Sequence, residues 1–335
     1  MIPKRLTVNR RGSVLIIVLW SLFFLAMLAV AVQAYVMPYA ELSGKLMNRT
    51  QMHYFANAGV ERAIFEVEND DTDLYDSLFD SWSRNDAAFN NGAIQGGTFS
   101  VLKDAPLSSD KPEYGLTDEE GKININKASQ QVLKSLFEKV AQVESEEADA
   151  IADSIIDWRD EDDVEQKNGK ENDYYQALEQ PYDCKNGDFE VREELLLVGG
   201  VTPEMFDKIK DCITVYGEGA VNVNTASIPV LVSLGMDAAL AEKVIKFRAV
   251  SSSKKDDEIP EGVFTDASLI TDLLNKTESL SGGEIAQMQR VLPLLSVKSN
   301  NFKGNVVGSY RGGKTERIVF VYDRNEKIMK SWREE

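Results

Sequence analysis

Apolar residues run without a charge from Ser13 to Val32 (SVLIIVLWSLFFLAMLAVAV), broken only by two serines. Twenty residues at about 1.5 Å rise make a helix of about 30 Å, the thickness of a bilayer core. Beyond it the pattern becomes amphipathic. From Tyr39 to Glu68, Leu42, Leu46, Tyr54, Val60, Ile64 and Val67 recur near helical spacing, and the small residues Ala56, Ala58, Gly59 and Ala63 allow close packing. One helix over 13–68 is predicted, about 84 Å long, with its transmembrane part at 13–35. Pro38 should kink or interrupt it, because proline removes one bond of the helical ladder. His53 reads as a surface or partly packed residue of this helix.

The remaining chain changes period twice. Residues 69–91, rich in Asp, Asn and Ser, read as a loop or short helical link. Alternation around Phe99 and Val101 predicts a strand within Gly92–Ala105, and Tyr114–Asn126 reads as a turn followed by a strand. From Lys127 to about Val297 the spacing is helical. The predicted helices are Ala128–Gln142, Ser145–Trp158, Glu190–Leu197, Pro203–Cys212, Ile228–Leu234, Ala238–Ala249, Ala267–Leu274 and Gly283–Leu292. Alternation returns over 301–307, 315–322 and 327–332, with turns at Gly312-Gly313 and Asp323-Arg324-Asn325. Strands on both sides of a helical block predict an α+β fold. A head with a small antiparallel sheet (69–126 and 297–335) is interrupted by an inserted all-α domain (127–296). The stretches ININKASQQVLKSLF and VNVNTASIPVLVSLG lie 98 residues apart and divide the insert at about 220 into halves similar to SAM or helix-hairpin-helix modules. Their alternating asparagines can satisfy backbone groups locally.

Charge assigns compartments. The chain has 37 Lys+Arg against 55 Asp+Glu, a net charge of −18, yet residues 1–12 carry four basic groups and no acid. Positive flanks stay cytoplasmic, so the head is expected on the far side of the membrane. Arg10-Arg11-Gly12 before a long apolar helix resembles a prepilin leader, cleaved between Gly12 and Ser13; an uncleaved signal anchor is the plainer alternative. Without the leader the net charge is −22. Such acidity argues against nucleic acid as a partner. A single histidine, His53, argues against His-based metal sites and catalytic triads, and two cysteines exclude a cysteine-only zinc site. Cys184 and Cys212 are a candidate disulfide in an oxidising compartment, with two buried thiols as the alternative.

Residues 144–173 hold 13 acidic and 3 basic side chains. So many carboxylates in one loop repel unless something neutralises them. Oxygen ligands in a flexible loop suit Ca²⁺, which takes about 6–8 oxygens. The spacing is not that of an EF-hand. A solvated acidic loop and catalysis by paired carboxylates are the other readings, although no nucleophile or substrate pocket is indicated.

In order along the chain, these segments resemble the family of general secretion pathway protein K, the large minor pseudopilins of type II secretion systems. The matching residues are Arg11-Gly12 with Leu19-Trp20, Asp118-Glu119-x-Gly121-Lys122-Ile123-Asn124-Ile125-Asn126, and Ile156-Asp157-Trp158-Arg159-Asp160-Glu161-Asp162. Gly169–Tyr175, Pro181-Tyr182, Glu194–Val201 and Val221–Ala226 follow. Lys170 stands where the family pattern often has alanine, and the fifth residue after Gly12 is Ile17 where most pilins have glutamate. The resemblance implies no enzymatic activity. It implies structural Ca²⁺ on Asp160, Asp162, Glu171 and Asp173, processing and N-terminal methylation by a prepilin peptidase, and a single inner-membrane span with the head in the periplasm. It further implies a place at the pseudopilus tip with minor pseudopilins I and J, through them H and the major pseudopilin G, and an inner-membrane assembly platform. Lack of the glutamate fits a subunit with nothing docked above it. The alternative is a minor pilin of a type IV pilus-like system, for adhesion or DNA uptake.

Overall fold

The computed structural model describes residues 11–72, 74–103, 112–249, 262–310 and 314–335, with side chains omitted at 11–13 and 314. The leader up to residue 10, the side chains at the proposed Gly12/Ser13 cleavage point and the Gly312-Gly313 turn lie outside that description. Helix α1 spans Arg11–Glu68, 58 residues. It runs on through Pro38: one missing N–H removes a single ladder bond, and the turns on either side keep theirs. Residues 14–47 are exposed throughout. Beyond them one stripe turns inward, burying Met52, Phe55, Ala56, Val60, Ala63 and Val67.

After α1 come a short helix α2 (Asp86–Phe89), capped by the Asn85 side chain, and a hairpin of β1 (Gly92–Ile94) and β2 (Gly97–Leu102). Gly96, at φ +96°, makes the hairpin turn. Strand β3 (Thr117–Asp118) precedes the helical block. That block runs β4 (Ile123–Asn124), α3 (Gln130–Leu136), α4 (Ser145–Arg159), α5 (Asn172–Gln176), α6 (Pro203–Ile209) and β5 (Ile213–Thr214). It continues with β6 (Val221–Asn222), α7 (Ile228–Ser233), α8 (Ala238–Arg248), α9 (Ile270–Glu278), α10 (Gly282–Val291) and β7 (Leu295–Ser296). Three strands follow: β8 (Asn301–Tyr310), β9 (Lys314–Asp323) and β10 (Ile328–Glu334). Two expected helices take tighter or wider forms. Phe137–Ala141, at the end of the first, is a π turn closed by Gln142 at φ 61°, and Arg192–Leu197 is a 3₁₀ turn.

The main sheet has the order β1-β2-β8-β9-β10, all antiparallel, with β3 added beside β8. Its α1-facing side supplies Phe99, Val101, Phe302, Val306, Ile318, Phe320 and Tyr322 to a core shared with the α1 stripe. A second, separate core collects buried residues from Ile123 to Leu295.

The repeated asparagine phrases are structural twins. β4 pairs in parallel with β5, and β6 with β7, so each phrase closes the run of helices that follows it. Asn124 and Asn222 accept from the N–H two residues on, at 2.8 and 2.9 Å. Asn126 exchanges two hydrogen bonds with the Phe189 backbone, and Asn224 does the same with Phe264. Arg159 donates to the carbonyls of Ile125 and Ala128, and Arg248 to those of Val223 and Ala226. The halves differ between arginine and phenylalanine, where the first half carries the longer connection. That connection is the acidic loop.

The two cores meet at the end of the sheet away from the apolar part of α1. Gly308 of β8 sits under Met52 and Ala56, whereas Tyr322 of β9, paired with Phe302 near the start of β8, bonds Glu68 at the last residue of α1. Around that far end, Asp118 Oδ2 accepts from Asn222 Nδ2, Thr225 Oγ1 and Ser299 Oγ at 3.2, 2.5 and 2.7 Å. Arg324 grips Asp76 with two bonds of 2.9 and 2.8 Å and also reaches the Ser299 carbonyl. Asp70 and Asp80 stand beside Asp76, and Arg324 together with the Ser77 and Trp82 donors serves this group.

Candidate metal centre

Helix α4 ends at Arg159, and the acidic loop folds back along it. The Gln166 N–H donates to Asp157 Oδ1 at 3.0 Å, and the Asn168 N–H to Asp153 Oδ2 at 3.1 Å. Gly169 fits because it has no side chain: a Cβ there would lie 1.8 Å from Asp157 Oδ2. Trp158 anchors the other side in an aromatic cluster, 5.1 Å from Tyr175 and 6.2 Å from Tyr182 between ring centres. The Tyr175 hydroxyl accepts the Gly199 N–H, tying the loop to the 3₁₀ turn region.

This fold-back brings Asp160, Asp162 and Glu171 together, each with an oxygen within 4.8 Å of the others. Of the four expected ligands, Asp173 is outside the group, because it enters α5 as its second residue while Glu171 is the residue before that helix. Asp157 is also outside the group but adjoins it, close enough to raise Glu171 by repulsion. It is fully buried, and its Oδ2 has no hydrogen-bond partner. Asp160 Oδ1 and both Glu171 oxygens are likewise buried and unpartnered, and Glu171 is only 3 % exposed. Asn186, whose Nδ2 holds the Asp162 carbonyl and Asp163, leaves its own Oδ1 unpartnered.

Unsatisfied buried oxygens on mutually repelling carboxylates are costly. Burial pushes Glu171 up to about 7, with Asp157, Asp160 and Asp163 adding repulsion. Burial likewise raises Asp157 to about 6, with Asp160 and Asp153 opposing the backbone donors from Gln166 and Lys170. Hard oxygens converging from a flexible loop match the ligand chemistry of calcium. Lys170 does not compete: its ammonium lies 4.6 Å from the centre of the Tyr174 ring.

The cysteines are free thiols in place of the expected disulfide. Cys212 is buried in the α-domain core, where its backbone carbonyl accepts the Ile123 N–H. The Cys184 sulfur faces the Asp157 carbonyl at 3.8 Å, and the Asn172 side chain holds its N–H. Burial raises both thiols to about 11, so both stay protonated at neutral pH.

Raised carboxylates also occupy the head junction. Burial lifts Asp118 to about 6 and Glu120 to about 7, the latter with Asp118 as its second cause. In the unfolded chain such groups ionise near 4. Between those values the folded state keeps protons that the unfolded state has lost, so stability falls as pH rises through the folded values. Calcium-free chain is expected to melt at a higher temperature at about pH 5 than at about pH 8, as thermal scans in chelator would measure; the opposite order would contradict the buried placement of these groups.

A family model described as Type II secretion system (T2SS), protein K, matches residues 107–218, which include the entire acidic loop. No curated protein matches the chain. Among solved structures, a chain of the GspK-GspI-GspJ complex from the enterotoxigenic Escherichia coli type 2 secretion system is similar, with a TM-score of 0.64 and 16 % identity. The match covers 88 % of this chain and 99 % of that one. The likeness shows a shared fold, and the family match covers the half of the insert that carries the acidic loop. The chain thus carries a region similar to type II secretion system protein K at 107–218, within a fold shared with that solved chain.

Proposed function

We propose that the chain is the minor pseudopilin at the tip of a type II secretion pseudopilus, where with I and J partners it starts fibre assembly and so supports export of folded proteins. One observation carries the tip assignment. The helical domain sits on the end of the head that points away from the membrane, joined there through Asp118, Asn222, Ser299 and Arg324. A fibre subunit needs that end for the next subunit, and a domain of this size blocks it. Ile17, in place of the usual pilin glutamate, fits the same position and leaves no buried carboxylate in lipid. In this reading a prepilin peptidase cuts between Gly12 and Ser13 and methylates the new N-terminus. The exposed apolar part of α1, with a mean hydropathy of 2.9 in its most apolar window, anchors the chain in the inner membrane with the head in the periplasm. H, the major pseudopilin G and the assembly platform are engaged through I and J. The role is structural, with no catalysis.

Calcium belongs to the same reading, as a structural ion held by Asp160, Asp162 and Glu171, with the buried Asp157 carboxylate beside them. It would neutralise the carboxylates and fix the loop to α4. Co-purification tests the assembly role. Full chain in detergent is expected to retain tagged I and J partners from the same secretion system, and to fail to retain the major subunit when I and J are omitted. Recovery of the major subunit alone, without I or J, would place the chain within the shaft.

A further inference from the structure

The sole histidine of the chain lies on α1, on the face turned toward the edge of the sheet. His53 Nδ1 is 3.6 Å from Glu316 Oε1 on β9 and 3.7 Å from Glu334 Oε1 on β10, and ligand atoms of all three lie within 4.8 Å of one another. Glu316 is at the end of the core-facing row that continues as Ile318, Phe320 and Tyr322. Its side chain is 8 % exposed, and no hydrogen bond reaches its carboxylate among the described residues. Glu334 pairs with Ile318 across the strands and receives the Trp332 indole N–H at 3.0 Å.

We infer that His53, Glu316 and Glu334 form a site for a divalent transition cation of the zinc class, bridging the long helix to the last two strands of the head. Separations of 3.6 and 3.7 Å are too long for hydrogen bonds. They are the spacing of two atoms bound to one ion: bonds of about 2.0–2.2 Å at roughly tetrahedral angles set ligands about 3.3–3.6 Å apart. One imidazole nitrogen with two carboxylates suits zinc and its neighbours, while calcium takes oxygen alone. Glu334 is 41 % exposed, which leaves an entry path and room for water as a fourth ligand. The site is distinct from the acidic loop, which contains no histidine and lies in the inserted domain.

Cobalt(II) is the direct probe. Full chain in detergent, with excess calcium present to fill the acidic loop, is expected to develop the visible absorption of tetrahedral cobalt and to lose it when zinc is added. His53→Gln and Glu334→Gln should each abolish the bands and weaken zinc binding by at least the roughly 10–100-fold that even an outer-shell change costs. The calcium response of both variants should match that of the parent. The Glu334 variant, at an exposed position, guards against a folding defect. Absence of cobalt bands in the parent would overturn the inference and leave His53 simply packed between two carboxylates. Bands that persist in both variants would overturn it equally, by placing the cation elsewhere.

Discussion

Calcium at about one hundred times its Kd should stabilise the helical domain by about 2.7 kcal/mol. For a domain of roughly 170 residues this is a rise of about 5–10 °C in Tm. The cause is the set of unpartnered oxygens on Asp157, Asp160 and Glu171, which burial and mutual repulsion push toward protonation. An ion with two positive charges replaces those protons, so the calcium gain should be larger at about pH 8 than at about pH 5. The double substitution Asp157→Asn with Glu171→Gln should have effects of opposite sign. It removes the repulsion, raising the Tm of the calcium-free protein, and it removes the Glu171 ligand and a neighbouring negative charge, erasing the calcium shift. Asp173→Asn should leave that shift unchanged, because Asp173 stands outside the cluster. Differential scanning calorimetry with calcium and with chelator separates these outcomes. Equal melting with and without calcium in the parent chain would reduce the loop to a solvated acidic surface.

Gly308→Val should pry helix α1 off the sheet of the head. A Cβ at this position would lie 2.4 Å from the Met52 carbonyl oxygen and 2.5 Å from the Ala56 nitrogen. Both are helix backbone and cannot swing aside as a side chain can. Overpacking commonly costs about 1–3 kcal/mol and more when the backbone must move, so a loss of about 3 kcal/mol or more is expected here. The helix should lift from β8, exposing Phe55, Ala56 and Val306 to water. Limited proteolysis would show new cleavage near residue 52, with calcium stabilisation of the helical domain retained, because the two cores are separate clusters. Unchanged protease resistance would mean that α1 does not pack against the sheet this closely. Gly59 is the gentler counterpart, since a methyl group there would meet the Val306 and Phe99 side chains, which can adjust.

Periodicity alone set much of the architecture. Twenty uncharged apolar residues followed by an amphipathic run predict one long helix, of membrane-crossing length in its first part and packed on a head in its second. The structure keeps it unbroken through Pro38 because the loss is local to one bond. Alternation in 301–307, 315–322 and 327–332 was enough to predict the last three strands, since a half-buried antiparallel sheet imposes period two. The repeated asparagine phrases were visible as text. Their work was not: Asn126 with Phe189, and Asn224 with Phe264, join residues 63 and 40 positions apart, and no local pattern encodes such distances.

Composition made the acidic loop conspicuous and pointed to oxygen-ligand chemistry. Selecting ligands within it required tertiary structure. Asp157 lies inside a helix, where sequence gives an acid no special standing, and it is buried beside the cluster because Gly169 lets the loop close over it. Asp173 has the same chemistry and spacing on paper, yet helix α5 places it outside the group. Pairing of Cys184 with Cys212 was compatible with their count and compartment, but each sulfur is held in a different environment. His53 shows the limit most plainly. In sequence it is one polar residue on an amphipathic helix; packing against β9 and β10 brings it to Glu316 and Glu334, more than 250 residues away. Sequence thus determined the elements and the kind of chemistry, because period and composition are local properties. Which side chains meet was decided by how the chain folds back on itself, because cation sites are assembled from residues that only packing makes neighbours.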